Sequence, residues 1–166
     1  MGNQMASLRL TLGIDMVLFD GEELIYGRAG TYFLGSEHFA KQYRDKPPGH
    51  TYRYGVLVDM VGDKNLRIGQ EKNSVKYAPQ LVDSLWSAAK AVGVREFVAR
   101  VEYEVQDDHI PLNEIARIRT CDLIDFDYPY WHTTKDTPQN CSGQSLAKVA
   151  RVLTHWLQNV PERPRP

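Results

Sequence analysis

Apolar positions fall into short unbroken runs set between polar or Gly/Pro-rich stretches, and the places where those runs stop are unusually acidic. The first run, Ile14 and then Met16, Val17, Leu18 and Phe19 around the single acid Asp15, stops on Asp20-Gly21-Glu22-Glu23. A short apolar run closed by a turn signal predicts a strand buried on both faces. Gly21 lets the chain turn sharply, which leaves Glu22 and Glu23 at the strand's carboxyl edge, where open α/β sheets bind ligands. Crowded carboxylates repel one another unless a proton or a cation lies between them. A plain solvated acidic turn after a core strand remains open from this stretch alone.

Around that run the pattern predicts the following order. Residues 5–12, with Met5, Leu8 and Leu12 on one face, read as the last turns of a helix. A strand this early that is buried on both faces needs neighbours on each side, so the chain is expected to start partway into a domain. Residues 24–33 read as irregular, and Ser36 caps a short helix that ends near Tyr43, before Pro47-Pro48-Gly49. Residues 54–61 form a second buried strand that carries one acid, Asp59, which is costly there unless paired or liganded; a turn-capping role at the strand end is the alternative. Residues 74–92 read as one helix, with Ala78, Leu81, Val82, Leu85, Trp86, Ala89 and Val92 on a single face, Asn73 or Ser74 as cap, Pro79 in its first turn and Gly93 at its end. Trp86 belongs to the core. Residues 97–105 are a strand or a loop, and residues 119–126 a third strand. Ser142 or Gly143 opens a last amphipathic helix on Leu146, Val149, Ala150, Leu153, Trp156 and Leu157. Strand, strand, helix, strand, helix with long connections predicts a three-layer α/β domain over residues 1–160, followed by a Pro-rich tail at 161–166.

Composition narrows the function classes. The chain has 166 residues, 42% hydrophobic and 25% charged, with net charge −1, so no electrostatic case arises for nucleic acid or an anionic membrane. No apolar run reaches the length of a membrane span. Met1 to Ala6 lack the charged-then-apolar order of a secretory leader, which makes a cytoplasmic location the default expectation. Cys121 and Cys141 could form one bridge, and without a CxxC or Cys/His cluster a thiolate zinc site is not expected.

The chemistry-bearing residues follow strand or strand-like runs: Glu22-Glu23, then Asp107-Asp108-His109, then His132, with Asp59 near a strand end. Carboxylates and imidazoles without thiolates suit a catalytic zinc, which takes three protein ligands and keeps one position open, with a further carboxylate as general base. Taken singly, His109 and His132 read more simply as core or surface histidines.

Four stretches in order, Leu18-Phe19-Asp20-Gly21-Glu22-Glu23, Val58-Asp59-Met60-Val61-Gly62, Gln106-Asp107-Asp108-His109-Ile110-Pro111 and Tyr130-Trp131-His132-Thr133, resemble the zinc-dependent M28 peptidases, and within them the glutaminyl cyclases. The resemblance runs from about Leu8 to Leu157. It implies a three-layer α/β/α fold with a mixed, mostly parallel central sheet that lacks its first strands. It implies Glu23 and His132 as zinc ligands, Glu22 as general acid/base and Trp131 as a wall of the substrate pocket. Asp107 is similar to the acid of the cyclase hydrogen-bond network. Asp59 is similar to the aspartate that binds a second zinc in the two-metal aminopeptidases and joins that network in the one-metal cyclases. An earlier part of the family domain supplies a further aspartate ligand and, in the aminopeptidases, a histidine; residues 1–13 contain no Asp, Glu or His. A histidine of the animal-type cyclases corresponds here to Asp122 on a gapped alignment. The implied activity is cyclisation of N-terminal glutamine with loss of ammonia, on a peptide or peptide-like substrate with one zinc ion. The alternatives are an M28-type zinc aminopeptidase and a catalytically incompetent fragment or scaffold. A sheet without its first strands exposes an edge, so a homo-oligomer is expected.

Overall fold

The computed structural model describes residues 12–24 and 31–160. Its elements are α1 (Leu34–Asp45), β1 (Gly55–Asp59), β2 (Ile68–Glu71), α2 (Lys72–Tyr77), α3 (Pro79–Ala91), β3 (Phe97–Tyr103), α4 (His109–Glu114), β4 (Thr120–Ile124), a 3-10 turn (Pro138–Asn140) and α5 (Gly143–Gln158). β1 runs parallel to β4, from Gly55 opposite Thr120 to Asp59 opposite Ile124. β2 runs parallel to β3 with an irregular register, and β2 packs beside β4. The fold is α/β with parallel strands, as the pattern predicts.

Alternation along β4 sorts its neighbours. Cys121 and Leu123 join the main core, where they meet Leu81, Leu85 and Trp86 of α3 and Val149, Val152 and Trp156 of α5. Trp86 is core, as expected, and its indole N–H donates to Val98 O at 2.9 Å. α1 and α4 close a second cluster on Ala40, Leu112, Ala116 and Ile118, with Phe19 and Phe39 against it. α4 is anchored to β4 by Asn113, whose side chain behaves as a short piece of neighbouring strand. Its Nδ2 donates to Thr120 O and to His109 O, and its Oδ1 accepts from Thr120 N, each at 2.9 Å.

Several expectations are corrected. Residues 15–19 form no strand, and no described strand pairs with them. Met16, Val17 and Leu18 are exposed, Leu18 by 93%; a strand buried on both faces needs a partner on each side, and none lies among the described residues. The helix expected over residues 74–92 is two helices, because a residue before proline is driven from the helical region. Ala78 takes φ −138° and Pro79 opens α3. The cap is neither Asn73 nor Ser74 but Glu71, whose carboxylate accepts from Asn73 N and Ser74 N. Ser74 Oγ instead accepts from Asp122 N at 2.9 Å. Ser36 does not cap α1; the N-cap is Phe33, without a side-chain bond. β2 and α4 are additional elements. Cys121, buried, and Cys141, exposed, are both free thiols. Residues 97–103 are a strand, and Ser142 caps α5 by accepting from Gln144 N. Among the described residues no helix is long and apolar enough to cross a membrane. The helix expected over residues 5–12, apart from Leu12, and the tail at 161–166 lie outside the described residues.

Candidate active site

The ends of β1, β3 and β4 and the acidic segment before α1 enclose a cleft of about 730 Å³. Glu22, Glu23, Asp59, Asp107, Trp131 and His132, the six residues singled out in the sequence, all line it. Their side chains come from four separate stretches that span more than a hundred residues, so convergence on one cleft is a property of the fold.

Local backbone chemistry sets each one in place. Glu22 follows Gly21, which sits at φ +68°, and is zipped to the start of α1: Phe33 N donates to Glu22 O at 2.9 Å and Gly35 N to Asp20 O at 3.0 Å. A Cβ on Gly35 would lie 2.5 Å from Asp20 O, so only glycine permits that approach. Asp59 ends β1, and the next residue, Met60, is forced to φ 51°. Asp107 and Asp108 lie just before α4. Asp108 N donates to Asp107 Oδ1 at 2.6 Å, and Ser36 Oγ donates to Asp108 Oδ1 at 2.5 Å. His132 has φ 57°; its ring stacks on Trp131 with centroids 4.1 Å apart, and Trp131 in turn leans on Phe126.

Electrostatically the cleft retains protons. Burial, reinforced by Asp59 and Asp108 and opposed by the Asp108 N–H and by His109, pushes Asp107 up to about 7. Asp59 is raised by burial and by Asp108 and Glu23, against the Met60 N–H. Glu22 is raised by burial and then by Glu23, Asp108 and Asp59, with His132 opposing. Burial raises Asp108 as well, against its bond from Ser36.

Glu23 Oε1 and His132 Nε2 meet at hydrogen-bond contact on the rim, both about half exposed. An imidazole nitrogen and a carboxylate oxygen brought to one point are zinc donors in kind. They number two, where a catalytic zinc takes three protein ligands. Asp59 lies on the same cleft, but among the described residues no three His, Cys, Asp or Glu side chains are grouped as a metal centre.

Sequence reasoning left Asp108 and Ser36 out of the site. Asp108 was visible within its motif, but its hydroxyl partner is 72 residues away and read as a helix cap. Phe33 and Met60, both left-handed and both lining the cleft, gave no sequence signal.

Parallel strands whose carboxyl ends carry a carboxylate-rich cleft with an imidazole–carboxylate pair make this an α/β protein similar to the zinc exopeptidases. The pattern of peptidase family M28 matches residues 2–157, and the chain belongs to that family. Among solved structures, Fimbriiglobus ruber glutaminyl cyclase is 42% identical over 93% of this chain and 55% of its own, with TM-score 0.85. Tannerella forsythia glutaminyl cyclase is 30% identical over 95% and 58%, with TM-score 0.84. A leucine aminopeptidase precursor from Bacteroides thetaiotaomicron is 28% identical over 95% and 57%, also with TM-score 0.84. The chain thus spans just over half the length of the structures it resembles. No match is found among curated proteins.

Proposed function

We propose that the chain carries the proton-transfer half of a glutaminyl cyclase site and acts on peptides with an N-terminal glutamine. The observation behind this reading is the set of four carboxylates, Glu22, Asp59, Asp107 and Asp108, on one cleft beside Trp131, all with raised proton affinity. Cyclisation needs no protein nucleophile. The substrate's α-amine attacks its own γ-carboxamide carbon, a C–N bond forms, the bond to the amide nitrogen breaks, and one proton passes from the attacking nitrogen to the leaving ammonia.

Glu22, at the cleft wall and with its proton affinity raised by burial and by Glu23, is the group that takes and returns that proton. Asp107 and Asp108, joined through the Asp108 N–H with Asp108 held by Ser36, line the same cleft and orient the proton transfer. Trp131, stacked on His132 and Phe126, offers an apolar wall for the glutamine stem. Glu23 and His132 would be ligands of a zinc ion, which when bound supplies polarisation of the amide carbonyl. The likeness to several glutaminyl cyclases supports the reading. The likeness to a leucine aminopeptidase precursor favours a second one, zinc-dependent hydrolysis of an N-terminal residue.

One experiment separates them. The zinc-supplemented chain is offered a glutaminyl peptide and a leucyl peptide, with ammonia and free amino acid measured in parallel. Ammonia release that Glu22→Gln abolishes supports the cyclase. Leucine release without ammonia favours the peptidase, cyclisation that survives Glu22→Gln removes that residue's role, and no turnover of either identifies a non-catalytic family member.

A further inference from the structure

Behind the cleft, away from any substrate, three titratable side chains are sealed from water. Glu71, His109 and Asp122 each have fully buried side chains. His109 Nε2 lies 3.2 Å from Glu71 Oε2, and its Nδ1 lies 3.8 Å from Asp122 Oδ2. Neither ring nitrogen and neither Asp122 oxygen makes a hydrogen bond of good geometry, so these contacts are all that faces them. Three buried ionisable groups in a row are costly unless they satisfy one another.

The two carboxylates are not equivalent. Glu71 accepts three backbone N–H bonds, from Asn73 at 2.7 Å, Ser74 at 2.6 Å and Val105 at 3.1 Å. That is the environment of an anion: against its burial, the His109 ring and then these three bonds hold Glu71 down to about 2. Asp122 accepts none. Facing it are Asp59 from β1, Asp107 and Asp108 from the segment before α4, and Glu71 from β2, all acidic, with Cys121 beside it in β4. A carboxylate there would be buried among four other acids with no N–H to accept from and the His109 ring as its one basic neighbour, so the neutral acid is favoured. Its proton needs an acceptor, and the ring nitrogen His109 Nδ1 is the one at hand.

We propose that Glu71, His109 and Asp122 form a buried array in which neutral Asp122 aims its proton at His109 Nδ1 and His109 Nε2–H points to ionised Glu71, and that this array positions Asp107 in the cleft. His109 opens α4 two residues after Asp107, Ile110 N donates to Asp107 O at 2.9 Å, and Asn113 ties His109 O to β4. Fixing the ring therefore fixes the turn that presents Asp107. Holding Asp122 neutral also keeps a second full charge from standing behind it. The three are positioning residues, and their effect on turnover rests on the cyclase reading above; the protonation pattern does not.

The test is a two-bond 15N–1H correlation of the histidine rings in the intact chain at about pH 7. His109 is expected as the tautomer with its proton on Nε2 and none on Nδ1. A doubly protonated ring, or the Nδ1–H tautomer, overturns the array. Two variants carry it to function. Asp122→Ala, which deletes the donor, is expected to lower kcat for the glutaminyl peptide about tenfold with KM little changed, and Asp122→Asn, which restores an N–H donor without charge, to recover most of that loss. Asp122→Asn no better than Asp122→Ala overturns the positioning role. The ring measurement needs no turnover, so it supports or overturns the array even in a chain for which the cyclase reading has failed.

Discussion

Asn113→Ala removes one side chain and three hydrogen bonds. Thr120 N and Thr120 O lie at the buried α4–β4 junction and would lose their partner together, while His109 O, in the first turn of α4, keeps its helical bond. A buried backbone group left unpartnered costs about 1–3 kcal/mol. Two would sum to about 2–6 kcal/mol if nothing moved. Alanine is smaller, so a water can enter beside Thr120 and serve at least one of them. A loss of roughly 3 kcal/mol is therefore expected, a large share of the about 5–15 kcal/mol typical of a domain. The assay is urea unfolding followed by tryptophan fluorescence, where the midpoint should fall with the slope unchanged. Asn113→Asp sharpens it: a carboxylate in the same place would face two carbonyl oxygens, so it should be the worse variant at neutral pH and improve as the solution is acidified. If Asn113→Ala costs less than about 1 kcal/mol, the side chain is not acting as the missing edge of β4, and the account of how α4 is held falls with it.

Three further outcomes are expected. Asp107 loses its proton near its ordinary 3.8 when unfolded but near 7 when folded, so between those values the folded chain holds more protons and stability drops as pH rises. Asp107→Asn should accordingly be more stable than the parent above about pH 7 by up to about 4 kcal/mol and show no advantage below 3.8, and a gain independent of pH would refute the assignment to burial. His132→Ala should abolish whatever zinc the chain retains after dialysis, measured as metal per chain by elemental analysis, and unchanged zinc would remove His132 from the ligand set. Exposed Met16, Val17 and Leu18 and the half-open strand Gly55–Asp59 lead us to expect self-association, and a strictly monomeric mass by light scattering refutes it.

How much of this was legible beforehand depended on whether the information was local. Glu22-Glu23, Asp59, Asp107 and Trp131-His132 each sit in a short contiguous motif that resembles the family's, so the six could be named from the sequence through that resemblance, and the parallel fold brings their motifs to one cleft. β2 could not, because only Ile68 of Ile68-Gly69-Gln70-Glu71 is a strand-like apolar residue, and its pairing comes from β3 some thirty residues on. Residues 15–19 show the reverse failure: the composition is that of a buried strand, yet burial is conferred by partners, and composition does not say whether they are present. The break at Ala78 was readable in principle from Pro79, but the apolar periodicity runs through it unbroken and hid it. His109 and Asp122 stood out in their motifs and Glu71 did not, but none of the three could be read as buried, because a buried ionisable group and a solvated one are spelled alike; only the fold distinguishes them.

Phe33, Met60 and His132 are three of the four described non-glycine residues with positive φ, and all three line the cleft. Each left-handed residue costs roughly 1–2 kcal/mol, so the cleft's shape is maintained against its own backbone by the packing around Leu85, Leu123 and Trp156 behind it. That gives the molecule an order of events. The cleft backbone relaxes at lower free energy than the core opens, so its amides should exchange with solvent in openings that leave α3 and α5 intact. Slackening the core should therefore blunt the site before the chain unfolds.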